Sequence, residues 1–418
     1  MHHRYLMGLT LAAAASVACG ESNTNNPGAA GSSAMSGGAG AGGSAGAATA
    51  GMAGGGAAGA SGGSTAGGGA GGSGGAGGSG GGAPELDPAP TLLSKTGLFT
   101  NMKDQTLAPG VYYYEPEYVL WSDGAEKKRW VYMPPGGKIV TDSLPGAAGM
   151  EYWKYPKGFK LWKEFKRDGK LIETRYLQKN SDGLTDWYMV AFKWNEDHTE
   201  ATALPDGEAN VYGTQHDIPS TKGCNGCHTA INDNALGFSA LQLSHNIQGS
   251  FNLAKGVELG WFNVNPPAAG YTLPGTDAEK KAIGYLHSNC GICHNSISKV
   301  YGTASLDLWA HLDQLDSVQT TRAYLSMVCD QWPGPNGKLD KNDPIKVCDA
   351  GHATGAKMDS TLSKDKRVVP KMPLESGVRD LMALRSTDET QGQMPPIGTE
   401  LKDDAGLAAI DAWINGLP

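Results

Sequence analysis

Charge is missing from a long stretch near the start of this chain. Between residues 27 and 84 there is no acidic or basic side chain; Gly, Ala and Ser make up almost all of it, with 27 of the chain's 61 glycines. Such a segment cannot bury enough apolar surface to offset the entropy of ordering it. A packed core is excluded there, and a disordered tether is expected over residues 20–84. Long hydrophobic runs are also lacking: no 18 consecutive apolar residues occur, so no helix is expected to span a membrane. A basic surplus is lacking as well. With 34 Lys and Arg against 42 Asp and Glu, the net charge of −8 over 418 residues argues against nucleic acid as a partner. No Gly-rich phosphate loop, nucleophile elbow or His-Glu-x-x-His motif is present. The acidic stretch Asp340 to Asp343 lacks the ligand spacing of an EF-hand loop.

What is present begins at the amino terminus. Arg4 precedes the apolar stretch Tyr5 to Ala18, whose core, Leu9 to Ala15, is too short to cross a bilayer and suits the apolar region of a signal peptide. The chain is therefore expected to be exported to the periplasm or cell envelope. The run Ala15-Ser16-Val17-Ala18-Cys19-Gly20 resembles a bacterial lipoprotein cleavage box, with Ser16 in place of the usual Leu. That resemblance makes residues 1–19 a lipoprotein-type signal segment and Cys19 the lipidated residue. It also implies an outer-membrane lipoprotein whose membrane contact is an N-terminal lipid anchor. Plain signal cleavage is the alternative. A tether of this length has a root-mean-square span of about 40 to 45 Å, enough to hold a folded head clear of a lipid surface.

Seven cysteines occur, and four of them fall into two identical patterns, Cys224-Asn225-Gly226-Cys227-His228 and Cys290-Gly291-Ile292-Cys293-His294. Cys-x-x-Cys-His is the spacing of covalent c-type haem attachment: each thiol adds to one vinyl group, and the adjoining imidazole reaches the iron. Two covalent haems are thus expected, on Cys224, Cys227 and His228 and on Cys290, Cys293 and His294. A zinc site built from two Cys-x-x-Cys pairs normally has 15 to 20 residues between the pairs. Here 62 residues separate Cys227 from Cys290, and both histidines would go unexplained. A thioredoxin-like dithiol accounts for one pair and not for two. Cys329 and Cys348 remain, and in an oxidising compartment they are expected to form a disulfide worth about 3 kcal/mol.

Thr276 and Glu279 form a capping box at the start of a predicted helix over 276–289, with Ala278, Ala282, Ile283 and Leu286 on one stripe. Asp403 and Asp404 start a second helix carrying Leu407, Ile410 and Ile414 on one face. Between them, the prolines of Gln393-Met394-Pro395-Pro396-Ile397 hold Met394 in an extended loop. Helix with Cys-x-x-Cys-His, then Met-Pro loop, then terminal amphipathic helix is the order of class I cytochrome c domains, which this part resembles. Met394 is accordingly the candidate distal ligand of the haem on His294. No Met lies between His228 and Cys290. The first iron's distal ligand stays open among His287, His245, His216 and Met372, or the iron is five-coordinate; His287 is the candidate carried forward.

From Leu92 to Ile218 the pattern turns to period two: Phe159, Leu161 and Phe165 alternate with charged neighbours. Asp168-Gly169 is a type I′ hairpin signal, and a second turn, Asn180 to Gly183, leads into Trp187 to Trp194. The fold class expected is multi-domain α+β: an antiparallel, sandwich-like β domain over 85–218, then a mainly α-helical dihaem cytochrome c region over 219–418. Within the latter, the first haem belongs to 219–275 and the second to 276–418.

Several further segments carry a resemblance. They are Val119-Leu120-Trp121-Ser122-Asp123-Gly124, Ile172-Glu173-Thr174-Arg175, Ile218-Pro219-Ser220, Leu236-Gly237-Phe238 and Tyr285-Leu286-His287-Ser288-Asn289-Cys290. Together with the haem motifs they resemble a family of bacterial exported dihaem c-type cytochromes with a β-rich N-terminal part, most of them of unknown function. The resemblance implies two haem c groups and redox partner proteins, and it names no substrate. The function expected is an electron relay. A dihaem peroxidase-like oxidoreductase, or the haem subunit of a periplasmic dehydrogenase, is the alternative.

Overall fold

The structure is a computed structural model that describes residues 89–142, 150–298, 300, 306–329, 366–385 and 393–418. The expected signal segment, Cys19, the tether and Cys348 lie outside the described residues. The described chain is mixed α+β: among these residues there are eight strands, all paired antiparallel, and six α-helices.

A two-stranded ribbon, β1 (Phe99–Asn101) with β2 (Thr106–Leu107), precedes a six-stranded meander. The meander runs in sequence order through β3 (Val111–Tyr113), β4 (Glu126–Tyr132), β5 (Lys160–Arg167), β6 (Lys170–Lys179), β7 (Trp187–Trp194) and β8 (Ala201–Ala203). The Asp168-Gly169 hairpin joins β5 to β6. Both residues have positive φ, 51° and 77°, as a type I′ turn requires.

Strand parity gives the sheet two buried faces. On one, Trp130, Trp162, Tyr176 and Val190 lie in register and pack with Leu93, Leu98, Phe99 and Val111. On the other, Val131, Leu161, Leu177 and Met189 pack against Ala235, Phe238, Leu243, Phe251, Leu253 and Trp261. The sandwich expected from the alternation is therefore not what covers the sheet. Its second layers are the β1–β2 ribbon on one side and the chain following the first Cys-x-x-Cys-His motif on the other. Alternation reports that a face is buried, not what buries it.

The helices are α1 (Thr221–His228), α2 (Leu253–Glu258), α3 (Asp277–Asn289), α4 (Arg322–Val328), α5 (Gly377–Ala383) and α6 (Asp404–Gly416). Thr276 and Glu279 close the expected capping box on α3, and the Asp403 carboxylate accepts from Gly406 N–H at the start of α6. The apolar stripes of the two helices meet: Ala282, Ile283 and Leu286 share one core with Leu407, Ile410, Trp413 and Ile414. Two glycines set the closeness of this packing. A Cβ on Gly406 would come within 2.3 Å of the Tyr285 ring, and one on Gly284 within 2.0 Å of the Tyr118 ring. Sheet and helices belong to one compact unit, Gly78–Pro418.

Candidate haem sites

Ser220 caps α1, its hydroxyl accepting from Gly223 N–H, so that the whole first motif sits on one short helix. Cys224, Cys227 and His228 at i, i+3 and i+4 then share a face. Both thiols are free and half-buried. His228 Nδ1 donates to the Asn234 carbonyl at 2.6 Å, a bond possible only in the tautomer protonated at Nδ1. Its Nε2 lone pair is therefore available to a metal. Burial lowers the ring's pKa to about 4, keeping it neutral.

The second motif follows the last turn of α3. Cys290 is the helix cap, and the turn continues through hydrogen bonds from Cys293 N–H and His294 N–H to the Cys290 carbonyl, at 3.0 and 2.8 Å. These thiols are also free. The His294 ring is buried, its Nδ1 meets no hydrogen-bond partner among the described residues, and burial lowers its pKa to about 4.

The two motifs are neighbours. Cys227 and Cys293 pack against one cluster, Tyr152, Ile231, Ile292 and Trp309, and Asn295 Nδ2 donates to the Ala230 carbonyl at 3.2 Å. Desolvation raises the pKa of all four thiols, to about 12 for Cys290 and about 11 for Cys293, where the Cys227 thiol adds to the rise. A redox dithiol needs the opposite shift. Among the described residues no three His, Cys, Asp or Glu side chains converge as metal ligands, whereas a structural zinc site needs four.

The remaining candidates separate by their hydrogen bonds. His287 is buried, and its Nδ1 accepts from Ala310 N–H at 3.2 Å, so its ring proton sits on Nε2 and leaves no lone pair there for iron. His245 uses both nitrogens, Nε2 toward the Glu115 carbonyl and Nδ1 toward Ile247 N–H. His216 Nε2 lies 2.8 Å from Glu173, and Met372 is exposed. Met394 is half-buried in the loop after α5, its N–H donating to the Leu381 carbonyl. The same loop borders the first motif: a Cβ on Gly226 would meet the Ile397 side chain at 3.3 Å. Cys329 is buried and disulfide-bonded, and its expected partner, Cys348, lies outside the described residues.

Residues in the connection between β3 and β4 hold the second motif in place. Trp121 N–H donates to Asn289 Oδ1 at 2.6 Å, and Asn289 Nδ2 donates to the Val119 carbonyl. Asp123 accepts from Glu400 and Leu401 N–H, fixing the end of the Met394 loop. Sequence reading assigned these residues no role.

Also missed was a set of cations on the sheet. On the face that carries Leu161, Arg129, Lys163 and Arg175 are directly opposite one another across β4, β5 and β6, with Lys127 and Glu173 one pair along. Glu173 pairs with Arg175 at 2.7 Å and with His216. Parity held the signal: Leu161, Lys163 and Phe165 occupy one face of β5, so Lys163 had to point inward with its apolar neighbours.

Beside this set a small recess, partly open to solvent, is lined by residues including Arg129, Lys163, Leu236, His287, Ile292 and Trp309. It lies between the chain that leaves the first motif and the turn of the second.

Comparison of the chain with protein-family models, curated proteins and solved structures returns no match.

Proposed function

We propose that the protein is an exported dihaem c-type cytochrome that relays single electrons, with haem c attached at Cys224 and Cys227 and at Cys290 and Cys293. The observation that carries this reading is the convergence of two Cys-x-x-Cys-His turns on one apolar cluster, each offering two protonated free thiols beside a neutral imidazole. The residues fit the group. His228 offers Nε2 with its proton committed to Nδ1, and His294 offers a buried neutral ring. When bound, the haems supply one-electron chemistry at iron. The chain's part is to orient the imidazoles, exclude water with Tyr152, Ile231, Ile292 and Trp309, and keep the two groups close. Met394 is the proposed distal ligand of the iron on His294. Lipidation at Cys19 and placement in the cell envelope belong to the same reading, as do redox partner proteins as donor and acceptor.

A second reading, a peroxidase-like oxidoreductase with an open position on the first iron, is favoured by the hydrogen bonds that occupy His245, His216 and His287. Electron paramagnetic resonance of the oxidised protein tests it. A low-spin signal from both haems supports the relay, and a high-spin signal with peroxide turnover supports the enzyme.

A further inference from the structure

Two of the four cations on this face of the sheet, Arg129 and Lys163, lack acceptors among the described residues. Arg175 has Glu173, and Lys127 Nζ donates to the Leu120 carbonyl at 2.7 Å. Arg129 is only 5% exposed, yet its Nη2 has no hydrogen-bond partner among the described residues. Lys163 is half-buried, and among the described residues its Nζ meets only the Phe165 ring, 5.1 Å from the ring centroid. Like charges opposite one another in a sheet repel, and an unpaired buried charge costs several kcal/mol. Burial and the charges of Arg129, Lys127 and Arg175 push the Lys163 pKa well down. These side chains thus form a preorganised anion site, and Arg129 and Lys163 line the recess directly.

The position of the site identifies its occupant. Cys224 packs against the cluster that contains Val131, Leu161 and Leu177 on this same face of the sheet, and Leu236 and Trp309, which line the recess, belong to the cluster against which Cys227 packs. A haem attached there brings two propionate carboxylates, which the motif's own thiols and imidazole cannot neutralise. We propose that Arg129 and Lys163 bind the propionates of the haem on Cys224 and Cys227, so that the β-sheet completes the first haem site. The proposal rests on the dihaem reading above. On this view the sheet holds the negative charge beside the iron in balance and so raises that haem's potential.

Redox titration of the matured protein, with Lys163→Gln, Arg129→Gln and Lys163→Arg, tests this. Each Gln variant is expected to keep two haems per chain. One haem's reduced-to-oxidised ratio at fixed ambient potential should fall about tenfold, which is 59 mV for one electron. Lys163→Arg should hold the wild-type value. Two haems with unchanged potentials in both Gln variants would overturn the propionate site while leaving the dihaem reading intact. Fewer than two haems in the wild-type protein would overturn the reading beneath it. If the Gln variants do not accumulate, the wild-type protein decides. Propionates held by cations stay ionised, so the potential of the haem on Cys224 and Cys227 should be flat between pH 5 and 7, and a slope near 59 mV per pH unit in that haem, identified by its loss in Cys224→Ser/Cys227→Ser, would contradict the proposal.

Discussion

His228 Nδ1 donates to the carbonyl of Asn234, six residues along the chain, and the segment that makes this possible is itself pinned to the sheet. Asp233, with a left-handed backbone at φ 53°, accepts from Tyr155 N–H and from Trp187 Nε1, and it forms a buried ion pair with Lys179. The imidazole's tautomer is thus set by an aspartate anchored in the β-sheet.

Removing that anchor should be costly. Asp233→Ala leaves Lys179 buried without a partner and is expected to lower stability by about 3 to 5 kcal/mol. Burial already disfavours both charges, raising the Asp233 pKa and lowering that of Lys179. The double change Asp233→Leu with Lys179→Met should therefore cost less than Asp233→Ala alone. Urea unfolding of the three proteins checks the order.

Stability should fall in alkali because of His311. Its ring lies between Glu151, 2.7 Å from Nδ1, and Asp307, 3.1 Å from Nε2. Burial opposes the imidazolium, but the two carboxylates outweigh it and push the pKa up from its ordinary value near 6.5 to about 9. A raised folded-state value means the stabilisation is fully present below pH 6.5 and is lost as pH rises through 9. It amounts to about 3 kcal/mol at most. The urea midpoint should drop between pH 7 and 10 in the wild-type protein and change less in His311→Gln.

Gly406 should tolerate no side chain. Alanine is favoured over glycine in a helix by about 1 kcal/mol. At Gly406 its Cβ would strike the Tyr285 ring, so Gly406→Ala is expected to destabilise by about 1 to 3 kcal/mol. Gly416, at the end of the same helix, has nothing within 4 Å of such a Cβ among the described residues, and Gly416→Ala should be neutral or stabilising. Thermal unfolding of the pair separates crowding from propensity.

Met394→Ala should abolish the Met-to-iron charge-transfer band and leave the haem count at two. Because the Met394 loop also borders α1, the variant identifies which iron it serves: the haem whose potential falls is the ligated one. Survival of the band would reject Met394 as a ligand.

Local signals carried much of this architecture. The capping box at Thr276, the Asp168-Gly169 turn and the aspartate at the head of α6 are each fixed by neighbours within four residues, and each is found where the pattern places it. The Cys-x-x-Cys-His turns are local for the same reason. What could not be read were pairings across long separations: Asp233 with Lys179, Asn289 with Trp121, and the packing of Cys227 and Cys293 on one cluster. These depend on how the chain folds back over the sheet, and no local period encodes that. Lys163 stands between the two cases. Its parity was legible in β5, but its lack of an acceptor became visible only when the opposing strands brought Arg129 and Arg175 beside it.

The mass of the protein after export and maturation tests the central claim most directly. The account predicts a red product whose mass exceeds that of the processed chain by two haems, with one lost in Cys224→Ser/Cys227→Ser and the other in Cys290→Ser/Cys293→Ser. A colourless product at the mass of the bare processed polypeptide would contradict it.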